Sequence, residues 1–491
     1  MWQHMAASFF FYDLETSGFD ARNDRIMQFA GIRTNSDLEP QGEPYDIKIK
    51  MTPEIVPSPD AIMITGITPQ STIADGVTEA EFLKIFFDEI VTPDTCFLGY
   101  NTVRFDDEFM RFLLYRNFYD PYEWQWQDGC SRWDLLDVVR MTRALRPDGI
   151  KWPFNEQGKA TNRLELITKL NGIDHYAAHD ALSDVHATIA VAKLIRDKQR
   201  KLFDYLLDCR TKKKVEEITH GGQPFLYSSG KFPAETEKTT VVVRIADQKQ
   251  HRGSYVYDLR HDPTEFLSLS AKELVERWRY VPREEAESAA ARLPVKLLQY
   301  NHCPAIAPLG VFDGPSQERL KLDVATIQKH LKLLKAHPDF AERILEAVDV
   351  MDVERDKIIA SKAPQDVDGQ LYDGFIGNDD KQAMRAVRVA QPAEIMGFGK
   401  NLRDGRLKAL LPRYKARNYP DSLNDEERQE WEEFCRQRLM NGGQNGRLAK
   451  FFVRLQELAA ENPDADKSYL LEELQLYGQS IMPVYAEPGD E

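Results

Sequence analysis

The first two hundred residues alternate short apolar runs with amphipathic segments. Apolar or alternating runs typical of strands occur at residues 9–13, 26–33, 45–51 and 95–100. Apolar residues at helical spacing occur at residues 79–90, 107–115, 133–144, 162–170 and 179–196. The early strands predict one antiparallel meander, and the mixed order of strands and helices predicts an α/β layer domain.

Beyond residue 196 the pattern changes twice. Residues 196–214 form a basic junction, and short strands broken by Gly and Pro, as at residues 239–246 and 253–259, predict a small β-barrel. Helical patterns with acidic first turns then follow at residues 323–350, 425–440, 447–460 and 467–477. We therefore expect three domains, at residues 1–198, 199–350 and 351–491.

Composition excludes several classes of protein. Of 491 residues, 42% are hydrophobic and 29% are charged, which is typical of a globular chain with several domains. Five cysteines without a C-x-x-C pair argue against a disulfide framework and a zinc site, and favour a reducing cytoplasm. No apolar stretch approaches the roughly 20 residues that a membrane span needs, and the N-terminal apolar run reads as a strand instead of a signal peptide.

Two carboxylates stand at the end of the first apolar run. Asp13 and Glu15 are two residues apart on a predicted strand, so they point to the same face. Their mutual repulsion would be costly unless a cation lay between them, and a hard divalent metal suits carboxylate oxygens. Such pairs are also common at solvated strand ends, so this pair alone is weak evidence for a metal site.

Further acids and a histidine recur at the ends of predicted elements. Asp106 stands where a helix begins after the fourth predicted strand, and His179 precedes Asp184 by five residues. Asp106 could equally cap its helix, and a single histidine more often has a structural role. Together with Asp13 and Glu15, however, the set predicts a catalytic metal site.

These motifs resemble those of the DEDD exonuclease superfamily. Its D-x-E motif matches Asp13 and Glu15, its N-x(2,3)-F-D motif matches Asn101 to Asp106, and its H-x(4)-D motif matches His179 and Asp184. The resemblance implies an RNase H-like fold, with helices flanking a mixed sheet, over roughly residues 7–198.

Segments along the whole chain, among them SRWDLLDVVR, PVKLLQYNHCP and GQLYDGF, are similar to the bacterial exodeoxyribonuclease I family. That resemblance implies an exonuclease domain followed by an SH3-like barrel and an all-helical C-terminal domain. It also implies processive 3′→5′ hydrolysis of single-stranded DNA to 5′-mononucleotides, in DNA repair and recombination.

The resemblance also implies residue roles. Asp13, Glu15, Asp184 and Asp106 would hold two Mg²⁺ ions, which Mn²⁺ could replace, and His179 would take a proton from the attacking water. Strand contacts are implied for Glu15, Arg163, Arg111, Tyr122, Trp126, Arg140, Asn301, His302, Gln370 and Tyr372. Aromatic rings among cations suit a grip that slides along a strand without reading its sequence.

Partners are implied as well. The family binds single strands with a free 3′ end and docks the acidic C-terminal tail of single-strand DNA-binding protein, for which Arg146 and Tyr205 are candidate contacts. We expect a monomer without membrane association. The net charge of -15 does not exclude a DNA partner, because a summed charge says nothing about its distribution.

Two other functions are alternatives on the sequence alone. One is a DEDD exoribonuclease or a polymerase-associated proofreading exonuclease, since the 2′-OH environment cannot be read from sequence. The other is a protein that binds single strands without hydrolysing them, since fold does not imply chemistry. All five catalytic positions are filled, which argues against the second alternative.

Overall fold

The computed structural model describes residues 8–175, 180–279, 291–361 and 365–482. These residues form two compact units. The first unit comprises Met1–Cys130, His175–His186 and Gln365–Glu491, and the second comprises Ser131–Asp174 and Ala187–Pro364.

Strands and helices follow one another along the chain in the described ranges. The strands are β1 (Ser8–Thr16), β2 (Ile26–Thr34), β3 (Tyr45–Lys48), β4 (Thr95–Gly99), β5 (Ser131–Asp134), β6 (Phe225–Ser228), β7 (Thr239–Asp247), β8 (Gly253–Asp258), β9 (Val295–Gln299) and β10 (Ala305–Pro308). The helices are α1 (Pro59–Thr65), α2 (Pro69–Asp75), α3 (Glu79–Ile85), α4 (Asp106–Arg116), α5 (Leu135–Leu145), α6 (Leu164–Asn171), α7 (Ala181–Lys198), α8 (Arg200–Asp208), α9 (Lys212–Thr219), α10 (Ala271–Trp278), α11 (Gly314–Leu320), α12 (Val324–Ala336), α13 (Phe340–Ser361), α14 (Asn378–Val389), α15 (Gly405–Asn418), α16 (Asp425–Met440), α17 (Arg447–Ala460) and α18 (Ala465–Ser480).

The sheet of the first unit carries the predicted meander. Its strands lie in the order β3-β2-β1-β4, with β1 antiparallel to β2, β2 antiparallel to β3, and β1 parallel to β4. Phe10, Phe29, Phe97 and Trp124 are buried together against α4, so one face of β1 is anchored by aromatic packing. Phe9, Phe10 and Phe11 are all buried, so both faces of this part of β1 are packed, and a slip of one residue would exchange side chains between the two faces.

The C-terminal helices of the first unit cover other surfaces of this core. Phe112 and Tyr115 on α4 belong to one buried cluster with Leu410 and Tyr414 on α15. A second cluster joins Met27 of β2 to α1, α17 and α18. Helix α4, which begins at Asp106, therefore makes apolar contacts on two sides, with the aromatic core of the sheet and with α15.

Buried charges also connect the C-terminal segment of the first unit to its N-terminal residues. The fully buried Asp368 accepts hydrogen bonds from Arg417 Nη1 at 3.0 Å and from Arg25 Nη2 at 3.1 Å. Arg417 Nε also donates to Glu54 at 2.8 Å. Burial alone would raise the pKa of Asp368, but Arg417 and Arg25 hold it well below its usual value.

The second unit contains the predicted β-rich domain. Its sheet has the strand order β10-β6-β7-β8-β9, and every neighbouring pair is antiparallel. A buried cluster that includes Phe225, Tyr227 and Ile306 supplies apolar packing in this domain. The short antiparallel strands confirm the β-rich interpretation of the middle of the chain.

Two sequence predictions about elements need correction, and several helices were not predicted at all. The predicted helix at residues 323–350 is two helices, α12 and α13, because Pro338 lies between them and cannot continue the hydrogen-bond ladder of α12. Trp133 lies in β5, and α5 begins only at Leu135, where the Asp134 side chain caps it. Helices α1, α2, α8, α9, α10, α11, α14 and α15 were not predicted. Across the described residues, no helix is both long and apolar enough for a membrane span.

Candidate active site

Three of the predicted carboxylates meet at the end of β1. Asp13 and Glu15 lie opposite Ala30 and Gln28 of β2, and the strand pairing becomes irregular directly after Glu15. Asp184 lies in the first turn of α7. One ligand oxygen from each of Asp13, Glu15 and Asp184 lies within 4.8 Å of the others. Residues from distant parts of the chain thus form one group that could hold a metal ion.

Asp106 lies at the start of α4, where it contacts the same strand. The backbone N–H of Leu14 donates to Asp106 Oδ1 at 3.1 Å, and the next residue, Asp107, accepts from the Tyr12 hydroxyl at 2.6 Å. Two adjacent aspartates therefore fasten α4 to β1. Asn101 precedes this helix in the left-handed region at φ 75°, which asparagine tolerates better than most residues.

The electrostatics of the cluster call for a cation. Burial, followed by repulsion from Asp106, Asp184 and Asp180, raises the pKa of Asp13 well above its usual value. Burial and the nearby carboxylates also raise the pKa of Glu15 to about 9. A bound divalent cation would relieve this repulsion, and an all-oxygen donor set suits a hard metal such as Mg²⁺. The residues present therefore fit the predicted metal site.

His175 is a residue that the sequence analysis missed. Its Nε2 lies 2.6 Å from Asp184 Oδ1, and its side chain is buried. The available signal was a second histidine four positions before His179 in the segment HYAAHD. His179, the predicted general base, lies outside the described residues.

Several residues that were predicted to contact the DNA strand lie close together beside α4. The Arg111 guanidinium lies 5.4 Å from the ring centre of Tyr122 and forms an ion pair with Glu108. The Tyr372 hydroxyl donates to the other oxygen of Glu108. Arg111 is buried, whereas Tyr122 and Tyr372 are exposed. Glu108, which the sequence analysis did not single out, therefore links the predicted contacts Arg111 and Tyr372.

Two other predicted contacts lie in the first unit. Trp126 is 63% exposed, so most of its ring is available for stacking. Gln370 Nε2 donates to the Gln365 carbonyl at 2.7 Å, and its own carbonyl accepts from Arg406. Gln370 thus has a local structural role in addition to any contact with a strand.

Arg140 and Arg163 lie in the second unit. Arg140, on α5, forms an ion pair with Asp137, and its cationic group helps to lower the pKa of Lys238 after the larger effect of burial. Arg163 lies at the exposed start of α6 and pairs with Glu165. Lys238 is thus a further cation near Arg140 that the sequence analysis left unassigned.

The remaining predicted contacts also lie in the second unit. The Asn301 carbonyl accepts from Arg132 at 2.6 Å, and His302 follows it in a turn. Arg146 donates to Asp313 at 3.1 Å and to the Val311 carbonyl at 3.1 Å. Tyr205, on α8, is half-buried, and burial raises its pKa.

Family models match most of the chain. A model described as Exonuclease matches residues 10–192, the Exonuclease I SH3-like domain matches residues 210–348, and the Exonuclease I C-terminal domain matches residues 365–481. These matches confirm the predicted succession of an α/β exonuclease domain, an SH3-like domain and a helical domain.

Relatives match over nearly the full length. Exodeoxyribonuclease I of Escherichia coli (strain K12) is 38% identical over 483 residues, which are 97% of this chain and 98% of the relative. Exonuclease I from Methylocaldum szegediense is 40% identical with a TM-score of 0.90, over 97% of this chain and 100% of that one. E. coli exonuclease I in complex with a dA16 oligonucleotide is 38% identical with a TM-score of 0.89, at the same coverage.

Two further structures bear on ligands. One is the zinc-ion-bound form of an E. coli ExoI–ssDNA complex, 37% identical with a TM-score of 0.88. The other is SSB/exonuclease I in complex with an inhibitor, 37% identical with a TM-score of 0.86. Each covers 97% of this chain and 100% of its own.

Proposed function

The chain belongs to the exodeoxyribonuclease I family, and we propose that it hydrolyses single-stranded DNA processively from a free 3′ end, releasing 5′-mononucleotides. The observation that carries this proposal is the group of buried Glu15 and half-buried Asp13 and Asp184, one ligand oxygen of each lying within 4.8 Å of the others. Acids gathered so closely are costly to keep ionised without a cation, and phosphodiester hydrolysis is a reaction that such a cation serves. DNA repair and recombination is the setting that we propose for this activity.

In this proposal Asp13, Glu15, Asp184 and Asp106 hold two divalent ions, Mg²⁺ or in its place Mn²⁺. When bound, these ions supply an activated water and positive charge for the phosphate and the leaving 3′-oxygen. The chain's own task is to keep the carboxylates converged, which the Leu14 N–H bond to Asp106 supports by tying α4 to β1. The imidazole of His179 accepts the proton of the attacking water.

The strand is held by rings and cations that do not read sequence. In the first unit, Tyr122, Trp126 and Tyr372 offer exposed rings for stacking on bases. Arg111 is buried and contacts both Tyr122 and Glu108. Its main role in this proposal is to orient the Tyr122 ring, and contact with a phosphate is secondary. Further contacts are assigned to the remaining predicted residues, which are Glu15, Gln370, Arg163, Arg140, Asn301 and His302.

A protein partner is also proposed. Because a similar exonuclease I structure has been described together with SSB, we assign Arg146 and Tyr205 to a site for the acidic C-terminal tail of single-strand DNA-binding protein. An acidic peptide needs nearby cations, and Arg146 is only partly offset by the exposed Asp313. Fluorescence anisotropy of a labelled tail peptide with Arg146→Ala tests this assignment, and unchanged affinity would remove Arg146 from the site.

The proposal also covers the domain boundaries, the oligomeric state and the cellular compartment of the protein. We propose domain boundaries at residues 1–198, 199–350 and 351–491, which the family-model matches at residues 10–192, 210–348 and 365–481 support. The protein is proposed to act as a monomer in the bacterial cytoplasm, where its five buried cysteines would stay reduced.

The decisive experiment is the product ladder of a 5′-labelled single strand. Stepwise shortening with Mg²⁺, release of 5′-mononucleotides and arrest by EDTA are expected. Matched DNA and RNA strands separate the alternatives, since equal or faster cleavage of RNA would refute the deoxyribonuclease assignment. Strand binding without any cleavage in Mg²⁺ or Mn²⁺ would indicate a binding protein instead.

A further inference from the structure

A buried histidine lies against one of the proposed metal ligands and has no part in the function described above. The side chain of His175 is 5% exposed, and its Nε2 lies 2.6 Å from Asp184 Oδ1. Buried polar groups are normally hydrogen-bonded, so a bond of this kind alone carries little meaning. What distinguishes His175 is its partner, because Asp184 belongs to the carboxylate group that could hold a metal ion.

The hydrogen bond runs from the imidazole to the carboxylate. An ionised carboxylate only accepts hydrogen bonds, so His175 donates through its Nε2–H when Asp184 is ionised, as a metal ligand must be. A neutral imidazole with its proton on Nε2 is sufficient for this bond. His175 can therefore hold the carboxylate without taking part in proton transfer.

Asp184 is exposed to repulsion from the other carboxylates of the group. Its charge helps to raise the pKa of both Asp13 and Glu15, and the same repulsion acts in return on Asp184. Asp13 and Glu15 lie on β1, which is paired with β2, whereas Asp184 lies in the first turn of α7. The Ser183 and Asp184 N–H groups donate to Asp180 at 3.0 and 2.9 Å. These bonds fix the backbone of the turn, whereas the bond from His175 acts on the carboxylate itself.

The other helix-borne carboxylate of the proposed site is held in the same manner. Asp106, at the start of α4, accepts from the Leu14 N–H at 3.1 Å. Each carboxylate that a helix contributes thus accepts a hydrogen bond from a group outside its own helix. Groups that orient a metal ligand in this way contribute to metal affinity, because they place the ligand before the metal binds.

We propose that His175 is a positioning residue, whose hydrogen bond holds the carboxylate of Asp184 towards Asp13 and Glu15 and thereby raises the affinity of the site for divalent metal. The inference rests on the proposed function and adds to it a residue that neither binds metal nor transfers a proton. Loss of a residue with this role typically weakens metal binding by about 10- to 100-fold. The rate of hydrolysis at saturating metal should depend on it much less.

The first test measures metal binding by the full chain without DNA. Mn²⁺ is added to the protein, and unbound Mn²⁺ is followed by electron paramagnetic resonance. His175→Ala should raise the Kd for Mn²⁺ at least about tenfold. His175→Gln should restore most of the affinity, because its amide nitrogen can donate from the position of Nε2. His175→Asn, whose amide nitrogen corresponds to Nδ1, should behave as His175→Ala does.

These variants separate positioning from a general loss of structure. His186→Ala removes an exposed histidine two residues beyond Asp184 and should leave the Kd for Mn²⁺ unchanged. An unchanged Kd in His175→Ala would overturn the proposal. Equal losses in His175→Gln and His175→Ala would also overturn it, because the shape of the imidazole would then matter instead of the donor.

A second test distinguishes positioning from catalysis. Single-turnover hydrolysis of a 5′-labelled DNA strand is measured over a range of Mg²⁺ concentrations. Positioning predicts that His175→Ala raises the half-saturating Mg²⁺ concentration about tenfold and keeps the rate at saturating Mg²⁺ within about threefold of the wild type. A saturating rate lowered by about 10²-fold or more, with an unchanged Kd for Mn²⁺, would indicate proton transfer by His175 and refute the positioning role.

Metal binding and hydrolysis can fail independently. Weaker Mn²⁺ binding in His175→Ala, together with absence of hydrolysis by the wild type in Mg²⁺ or Mn²⁺, would refute the exonuclease assignment and support the positioning role. Hydrolysis by the wild type, together with unchanged Mn²⁺ binding in His175→Ala, would refute the positioning role alone.

Discussion

The buried ion network around Asp368 makes a quantitative prediction about stability. Asp368 is fully buried and pairs with four arginines. These are Arg417, Arg25 at 3.1 Å, Arg438 at 3.5 Å and Arg413 at 3.7 Å. Asp368→Asn keeps the shape of the side chain and removes its charge. Arg25 and Arg417 would then retain Glu54 as a buried carboxylate partner.

The expected cost follows from burial and from the number of partners. Removing one member of a buried charge pair typically costs about 3–5 kcal/mol, because its partner is left buried without compensation. Asp368 serves several partners at once, so we expect Asp368→Asn to lower the free energy of unfolding by about 4 kcal/mol. Burial of the cations prevents water from replacing the lost carboxylate.

Asp366→Asn is the matched control. Asp366 lies two residues away and pairs with Arg413 and Arg438, but its side chain is 34% exposed. A pair open to solvent is worth about 0–1 kcal/mol, so this variant should unfold within about 1 kcal/mol of the wild type. Urea unfolding followed by circular dichroism measures both variants. Equal effects of the two substitutions, or a cost below about 1 kcal/mol for Asp368→Asn, would refute the reasoning.

The ion network around Asp368 also makes the free energy of unfolding depend on pH. The pKa of Asp368 is lowered in the folded state, so the unfolded chain binds more protons when the solution becomes acidic. The contribution of Asp368 to the free energy of unfolding is fully present above the pKa of about 4 that it has in the unfolded chain. This contribution is lost as the pH falls towards the lower pKa of the folded state. The difference in free energy of unfolding between wild type and Asp368→Asn should therefore be constant from about pH 5 to 8 and should shrink below about pH 4.

Three further predictions concern the site. Asp13→Asn should slow single-turnover hydrolysis of a 5′-labelled DNA strand by at least about 10³-fold, because charge stabilisation by bound metal is worth several kcal/mol. Binding of the same strand in EDTA should be unchanged. Hydrolysis within about tenfold of the wild-type rate would contradict the metal site. Mg²⁺ should raise the melting temperature of the wild type above its value in EDTA and should not do so for Asp13→Asn, as scanning fluorimetry would show. Tyr372→Phe removes the hydroxyl bond to Glu108 and should raise the Kd for single-stranded DNA about fivefold, given a net value of about 1 kcal/mol for such a bond. An unchanged Kd in anisotropy would show that Glu108 does not orient this ring.

Local pattern accounts for the parts of the site that could be predicted. The apolar run before Asp13 forms β1, and the period of two along a strand places Asp13 and Glu15 on one face. The position of Asp106 at a helix start was readable from the change of periodicity after β4. These features depend on neighbours within a few residues, which a sequence displays directly.

Other features depend on contacts between distant segments. Glu108 and Tyr372 are 264 residues apart, and Arg25 and Asp368 are 343 residues apart, so no local period relates them. His175 likewise could not be distinguished from any other histidine until folding brought it to Asp184.

The sequence by itself determined which residues could bind metal, because the motifs carry the required oxygen donors at the ends of predictable elements. Only the tertiary structure decided that Arg111 is buried next to Tyr122, that Asp368 pairs with four guanidinium groups, and that Phe19 is exposed beside Phe105. The physical reason is that burial and charge pairing depend on which surfaces meet, and the chain specifies those surfaces only through its complete packing.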